Sequence, residues 1–235
     1  MSRRVNRRRF LETSALAAGA GYFLTAGVTE SRARQNDPLT KLNVGIIGAA
    51  GRGGGNLAEV ARTENIVALC DVDQRHAANS FNAHPQAVKY QDFRVMLERQ
   101  RNIEAVVVST PDHTHAHASI MAMRLGKHCY TEKPLTHSVW EARQMALVAR
   151  RHRVATSMGN QGTATNGLRQ SVEIIRSGAI GEVREVHVWT NRPIWPQGDD
   201  ALQVRARGNT TVPATLNWDL WLGPAGDRPY NSCYV

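Results

Sequence analysis

Between Leu42 and Asn56 the chain reads LNVGIIGAAGRGGGN, an apolar run that stops at a glycine-rich turn. It then passes at once into helical spacing at Leu57, Val60 and Ala61. A strand that is apolar at successive positions must be covered on both faces, which points to a parallel sheet with helices above and below it. The pattern recurs. NIVALCDV, IEAVVVST, HCYTE and VATSMG read as further strands, with helices expected over about Gln74 to Asn82, Phe93 to Gln100, His115 to Leu125 and Ser138 to Arg151. The fold class is therefore α/β, a doubly wound parallel sheet over residues 41–162. After Gly162 the character changes. Leu168 to Ser177 reads as a helix, GEVREVHVWTN alternates as a half-buried strand should, and NWDLWLGPAGDRPYN is aromatic and turn-rich. Residues 163–235 are read as the incomplete start of a second, α+β domain.

Ligands of doubly wound sheets lie at the carboxyl ends of the strands. There the run Gly48-Ala49-Ala50-Gly51-Arg52-Gly53 approximates G-x-G-x-x-G, with Ala50 in the middle position. Gly48 allows the tight turn and Gly53 allows the helix to pack closely on the strand. At the middle position a glycine normally lets backbone approach a pyrophosphate, and alanine adds one methyl group there. Free N–H groups at the start of the helix, read over about Gly53 to Thr63, stand at its positive dipole end and suit a pyrophosphate. Taken alone, a glycine-rich structural turn explains this run nearly as well. Asp71 adds context: it ends the next strand, 23 residues after Gly48, where a carboxylate takes the ribose hydroxyls of a dinucleotide. That charge opposes a 2′-phosphate and favours NAD, while Arg75 nearby leaves NADP open. An isolated acid at Asp71 would instead be a solvated loop residue.

STPDHTHAH follows the third long strand, with Thr110 and Pro111 at the strand end. His113, His115 and His117 alternate across a loop-to-helix junction, which does not put three imidazoles on one helical face, so no metal site is read here. His115 is read as a helix-start histidine near the cofactor. In TEKPLTH, Lys133 stands at the end of a buried strand, a costly place for a charge unless something there uses it. Cys70 and Cys129 sit in strand patterns as buried thiols, and with Cys233 they make no disulfide framework. Trp189, Trp195, Trp218 and Trp221 either line a sugar site or pack a core or an interface.

The charge balance needs the N-terminus to be read first. Arg3, Arg4, Arg7, Arg8 and Arg9 precede Phe10-Leu11 and a short, glycine-interrupted apolar run. The run is too short to span a bilayer. Residues 1–40 are read as an export signal and linker, and Arg7-Arg8-Arg9-Phe10-Leu11 resembles a twin-arginine signal. Periplasmic or exported localisation is expected, with an uncleaved leader as a possible membrane tether. Seven arginines and two glutamates fall before Gln35, so more than half of the net charge of +9 belongs to the leader. No lysine and arginine stripe with interleaved aromatics follows, which argues against nucleic acid as a partner.

Together the glycine turn at Gly48–Gly53, Asp71, Thr110-Pro111-Asp112 with His115, and Glu132-Lys133-Pro134 resemble the Gfo/Idh/MocA oxidoreductase family. GNQG at Gly159 to Gly162 and WDLWLGP at Trp218 to Pro224 are similar to its secreted branches. The resemblance implies a Rossmann domain binding NAD through Gly48, Ala50, Gly51, Arg52, Gly53, Asp71, Thr110, Pro111, His115, Glu132, Lys133, Pro134 and Gln161. It implies that Lys133 is catalytic, facing nicotinamide and the substrate hydroxyl with its pKa lowered by burial, that Glu132 supports it, and that Pro134 follows a cis bond. It further implies a second domain for substrate and oligomerisation, a sugar or polyol substrate, a homo-oligomer at full length, and passage through the twin-arginine machinery. Family members usually continue further and carry an Asp and a His on a second-domain helix. By that measure this chain is expected to be truncated. Three functions stay open: hydride transfer between nicotinamide and a sugar or polyol hydroxyl, NAD-dependent glycoside hydrolysis, and an inactive nucleotide-binding fragment.

Overall fold

The computed structural model describes residues 41–190 and 210–234 of the 235-residue chain. The expected export signal, Trp195 and the side chain of Cys233 lie outside the described residues. Six parallel strands form one sheet: β1 (Asn43–Ile47), β2 (Asn65–Cys70), β3 (Val88–Tyr90), β4 (Ala105–Val108), β5 (His128–Glu132) and β6 (Thr156–Gly159). Their order is β3-β2-β1-β4-β5-β6, with every neighbouring pair parallel. The order reverses between β1 and β4. Their tips open the crevice where such sheets take ligands.

Helices fill the crossovers. They are α1 (Gly51–Val60), α2 (Ala78–Ala83), α3 (Phe93–Arg99), α4 (His115–Arg124) and α5 (Val139–His152). Side chains alternate across the sheet as a two-residue repeat requires. Ile47, Val106 and Val108 join Met123, Cys129 and Met145 on one face, while Val44, Ile46 and Val107 join Leu57 and Leu69 on the other. Both faces are apolar and buried, so neither could tolerate a polar substitution in the central strands. The start of α5 is set by a reciprocal cap: Ser138 Oγ accepts from Glu141 N, and the Glu141 carboxylate accepts from Ser138 N at 2.9 Å.

Two sequence expectations need correcting, and one strand was not foreseen. The helix expected from Gln74 begins only at Ala78. Asp73 Oδ1 accepts the N–H groups of Arg75 and His76 at 3.0 and 3.3 Å, and this side-chain turn uses the residues that would have formed the first helical turn. The three-residue strand β3, with exposed Val88 at its start, was too short and too polar to be read from sequence. Finally, residues 181–190 form no strand. A strand needs a neighbour for its ladder, and among the described residues none pairs with this segment. Its Val186, Val188 and Trp189 are exposed accordingly. Helix α6 (Asn166–Arg176) forms as expected, with Thr165 Oγ1 accepting from Leu168 N, and it too is exposed along its length.

The entry into α1 is the tightest point of the fold. Gly48 has φ +81°, and a Cβ there would meet the Ser109 carbonyl oxygen at 2.6 Å. A Cβ on Gly53 would come within 1.7 Å of the Gly48 carbonyl oxygen. Helix and turn therefore share a contact that only hydrogen can fill. Replacing Gly53 with alanine is expected to cost about 1–3 kcal/mol, the range for overpacking, and to lower thermal unfolding by several degrees. Gly162→Ala, where nothing lies within 4 Å of the new methyl group, should leave unfolding within about a degree. Calorimetry on the two variants checks this.

Candidate functional site

The turn between β1 and α1 is held by a carboxylate. Asp71, at the tip of β2, accepts the N–H groups of Ala49 and Ala50 on Oδ2 at 2.9 and 3.2 Å, and that of Asp73 on Oδ1 at 3.0 Å. Burial pushes its pKa up, and the bonds from Asp73, Ala49 and Ala50 and the nearby His76 only partly offset this. A carboxylate has about four lone-pair sites, so three such bonds leave Asp71 able to accept one more. Ala50 opens α1 without a side-chain cap. The first N–H groups of the helix, at Gly51, Arg52 and Gly53, have no acceptor within the helix itself.

A cavity of about 960 Å³ lies over this turn. Gly48, Ala50, Gly51, Arg52, Asp71, Thr110 and Pro111 line it, so seven residues expected at a cofactor site do share one space. The Thr110 hydroxyl is buried and has no hydrogen-bond partner among the described residues. An uncapped helix start, a carboxylate with spare capacity, an orphaned hydroxyl and a glycine cradle fit a dinucleotide pyrophosphate and ribose.

A second group gathers at the tip of β5. Glu132 is buried, and its carboxylate accepts from Asn56 Nδ2 at 2.8 Å, from Arg52 Nε at 3.0 Å and from Gln161 Nε2. Burial pushes the Glu132 carboxyl up, but the bonds from Asn56, Arg52 and Gln161 outweigh it and hold the pKa below the ordinary glutamate range. Asn56 also donates to Ser109 Oγ at 2.9 Å, and Gln161 to Tyr130 Oη at 2.9 Å. Arg52 thus belongs to both groups, lining the cavity while pairing with Glu132. The Lys133–Pro134 bond is cis, as the resemblance implied.

Two site expectations change here. Lys133 was expected to be buried, and its side chain is exposed. It follows the last ladder pair of β5, Glu132 with Gly159, and so stands beyond the sheet edge. His115 was expected at the cofactor, yet it is almost wholly buried, with Nδ1 at 2.7 Å from the Pro134 carbonyl and Nε2 at 2.8 Å from the Thr110 carbonyl. Packed between these two carbonyls, it joins the β4 and β5 tips. Among the other histidines, His113 Nε2 lies at 2.9 Å from the Trp221 carbonyl and His117 lines the cavity. Sequence reasoning missed Asn56, Ser109 and Tyr130. Asn56 was findable, because it lies one helical turn after Arg52 and so on the same face.

Comparisons with known proteins place these residues in context. The profile of the oxidoreductase family with an NAD-binding Rossmann fold matches residues 42–160. A glycosyl hydrolase family 109 protein of Solibacter usitatus is 28% identical over 201 residues, 77% of this chain and 44% of its own length. An inositol 2-dehydrogenase of Salmonella paratyphi B is 24% identical over 62% of this chain and 45% of its own. The crystal structure of myo-inositol 2-dehydrogenase from Lactobacillus plantarum superposes with a TM-score of 0.58 at 24% identity, covering 61% of this chain and 43% of that one. The chain spans less than half the length of these relatives.

The Glu132 cluster has a definite pH signature. A carboxyl held below its ordinary value stabilises the fold above that value, about 4.3 for glutamate, and loses this as the pH falls through the native value. The Tm gap between wild type and Glu132→Gln should be open at pH 7 and should close as the pH drops below about 4. Asp71 works the other way, its contribution being present in acid and lost as the pH rises through its raised value, but it is common to both proteins and cancels. A gap independent of pH between 7 and 3 would count against the cluster.

Proposed function

The chain belongs to the Gfo/Idh/MocA oxidoreductase family, and from that membership we propose that it is an NAD-dependent oxidoreductase acting on a sugar or polyol hydroxyl. One observation carries the proposal. The glycine turn after β1, Asp71 after β2, Thr110-Pro111 after β4 and Glu132-Lys133-Pro134 at the tip of β5 all lie at one edge of one sheet, around the β1/β4 switch point. The inositol 2-dehydrogenase relative supports the substrate class.

In this reading the N–H groups of Gly51, Arg52 and Gly53 hold the pyrophosphate, and Asp71 accepts a ribose hydroxyl. NAD supplies a hydride acceptor and donor when bound. Lys133 offers three N–H donors to the substrate oxygen, orienting the carbinol and stabilising the alkoxide as its proton leaves. The carbinol proton passes to solvent water at this exposed position. Glu132 stays ionised among its three donors and fixes the backbone from which Lys133 projects. Arg52, bound to Glu132, couples the pyrophosphate turn to the β5 tip.

The Solibacter usitatus relative favours a second reading, NAD-dependent glycoside hydrolysis. Arg7-Arg8-Arg9-Phe10-Leu11 supports export of the folded protein by the twin-arginine route to the periplasm in either case.

Incubating the protein with NAD and a panel of sugars and polyols should raise absorbance from reduced nicotinamide with at least one of them. Lys133→Ala should lower kcat about 100-fold or more, as expected for a lost alkoxide-stabilising donor, while NAD affinity stays within about twofold. Sugar release from a chromogenic glycoside without net reduction of NAD would select the hydrolytic reading. An undiminished rate in Lys133→Ala would remove Lys133 from the chemistry.

A further inference from the structure

We propose that the aromatic segment Pro213–Tyr234 clamps the adenosine half of the cofactor, with Trp221 as the ring that adenine meets. This rests on the NAD reading above and extends it to residues outside the Rossmann domain.

The first observation is how the segment is tied down. Leu216 forms an antiparallel bridge with Asp73; Gln74 N donates to the Thr215 carbonyl at 3.1 Å, and Asn217 N to the Val72 carbonyl at 2.9 Å. Gln91 Nε2 reaches the same Val72 carbonyl at 3.1 Å. At its other end, the Trp221 carbonyl meets His113, and Gly223 packs so closely on Thr114 that a Cβ would lie 2.8 Å from its methyl group. The segment therefore runs from the loop after β2 to the loop after β4. Between these anchors lies the cavity that also holds the glycine turn, and Leu216, Trp221, Tyr230 and Tyr234 line it from above.

The second observation is direction. The pyrophosphate belongs over α1, and the ribose hydroxyls belong at Asp71 on β2. A nucleotide continuing that way places its base in the space between the loops after β2 and β4, which Trp221 lines, and its other end passes toward β5, where Lys133 stands. The aromatic segment is anchored at Asp73 and Thr114, on either side of that space, and Lys133 does not line the cavity. A sugar reacting beside Lys133 would lie on the opposite side.

The third is chemistry. Trp221 stacks on Trp218 with centroids 4.8 Å apart and planes 14° from parallel, and Tyr230 meets Trp218 edge-on at 5.2 Å. Trp218 Nε1 donates to the Arg228 carbonyl at 2.9 Å. The short helix α7 (Trp218–Leu222) is capped by Asn217, whose Oδ1 accepts from Leu220 N at 3.0 Å. Rings held this way lose little further freedom when a base stacks on them, and any purine presents a π-face to them.

Isothermal titration with NAD and with ADP-ribose, which keeps the adenosine half and lacks nicotinamide, tests the clamp. Trp221→Ala should weaken both ligands about 10-fold, equivalent to about 1.4 kcal/mol and within the range for base–aromatic stacking. Trp221→Phe should stay within about threefold of wild type, and Trp140→Ala, an exposed tryptophan on α5, should change nothing. In the wild-type chain, ADP-ribose should slow amide hydrogen exchange across Asn217–Gly223, a readout independent of whether Trp221→Ala folds. Equal affinities in wild type and Trp221→Ala, or unchanged exchange in that segment, would overturn the clamp while leaving NAD binding in place. No binding by the wild-type chain would overturn both.

Discussion

Everything at the sheet edge depends on how closely α1 approaches the end of β1. Gly53 lies against the Gly48 carbonyl with no room for a methyl group, and the Asp71 carboxylate draws in the N–H groups of Ala49 and Ala50 on the same turn. The close packing aims the start of α1 across the switch point of the sheet. Without it the N–H groups of that first turn would point elsewhere, and Arg52 would not reach Glu132 on the far side of β4. One steric constraint thus sets both where an anion can bind and how the β5 tip is held.

Glu132 is the second dependency. It is a buried carboxylate that remains ionised because three side chains donate to it, from α1 and from the segment after β6. A buried charge with that many donors is costly to disturb, since removing one partner leaves it undercompensated. Its placement between Arg52, which lines the cavity, and Lys133, which stands outside it, makes it the physical link between the glycine turn and the β5 tip.

The sheet was legible because a strand covered on both faces must be apolar throughout, and IIG, VALC and AVVV satisfy that requirement without help from distant residues. The seven expected residues lining the cavity were legible for a related reason: the turns at strand ends are local, and a glycine-dependent turn announces itself. What could not be read depended on partners far away in sequence. The burial of His115 follows from two carbonyls at Thr110 and Pro134, and the exposure of Lys133 follows from where the β5–β6 ladder stops. The alternation in 181–190 gives strand character to residues that find no ladder among those described. Trp221 looked equally suited to a sugar site or to packing, and only distant contacts, the Leu216–Asp73 bridge and the His113 ring against its carbonyl, place it at the cavity between the β2 and β4 loops.

A crystal structure of the chain grown with NAD tests the central claim most directly. The account predicts pyrophosphate oxygens within hydrogen-bond distance of the N–H groups at Gly51–Gly53, a ribose hydroxyl on Asp71, and nicotinamide toward Lys133. A dinucleotide bound away from the glycine turn, or lying across the edge in the opposite direction, would contradict it.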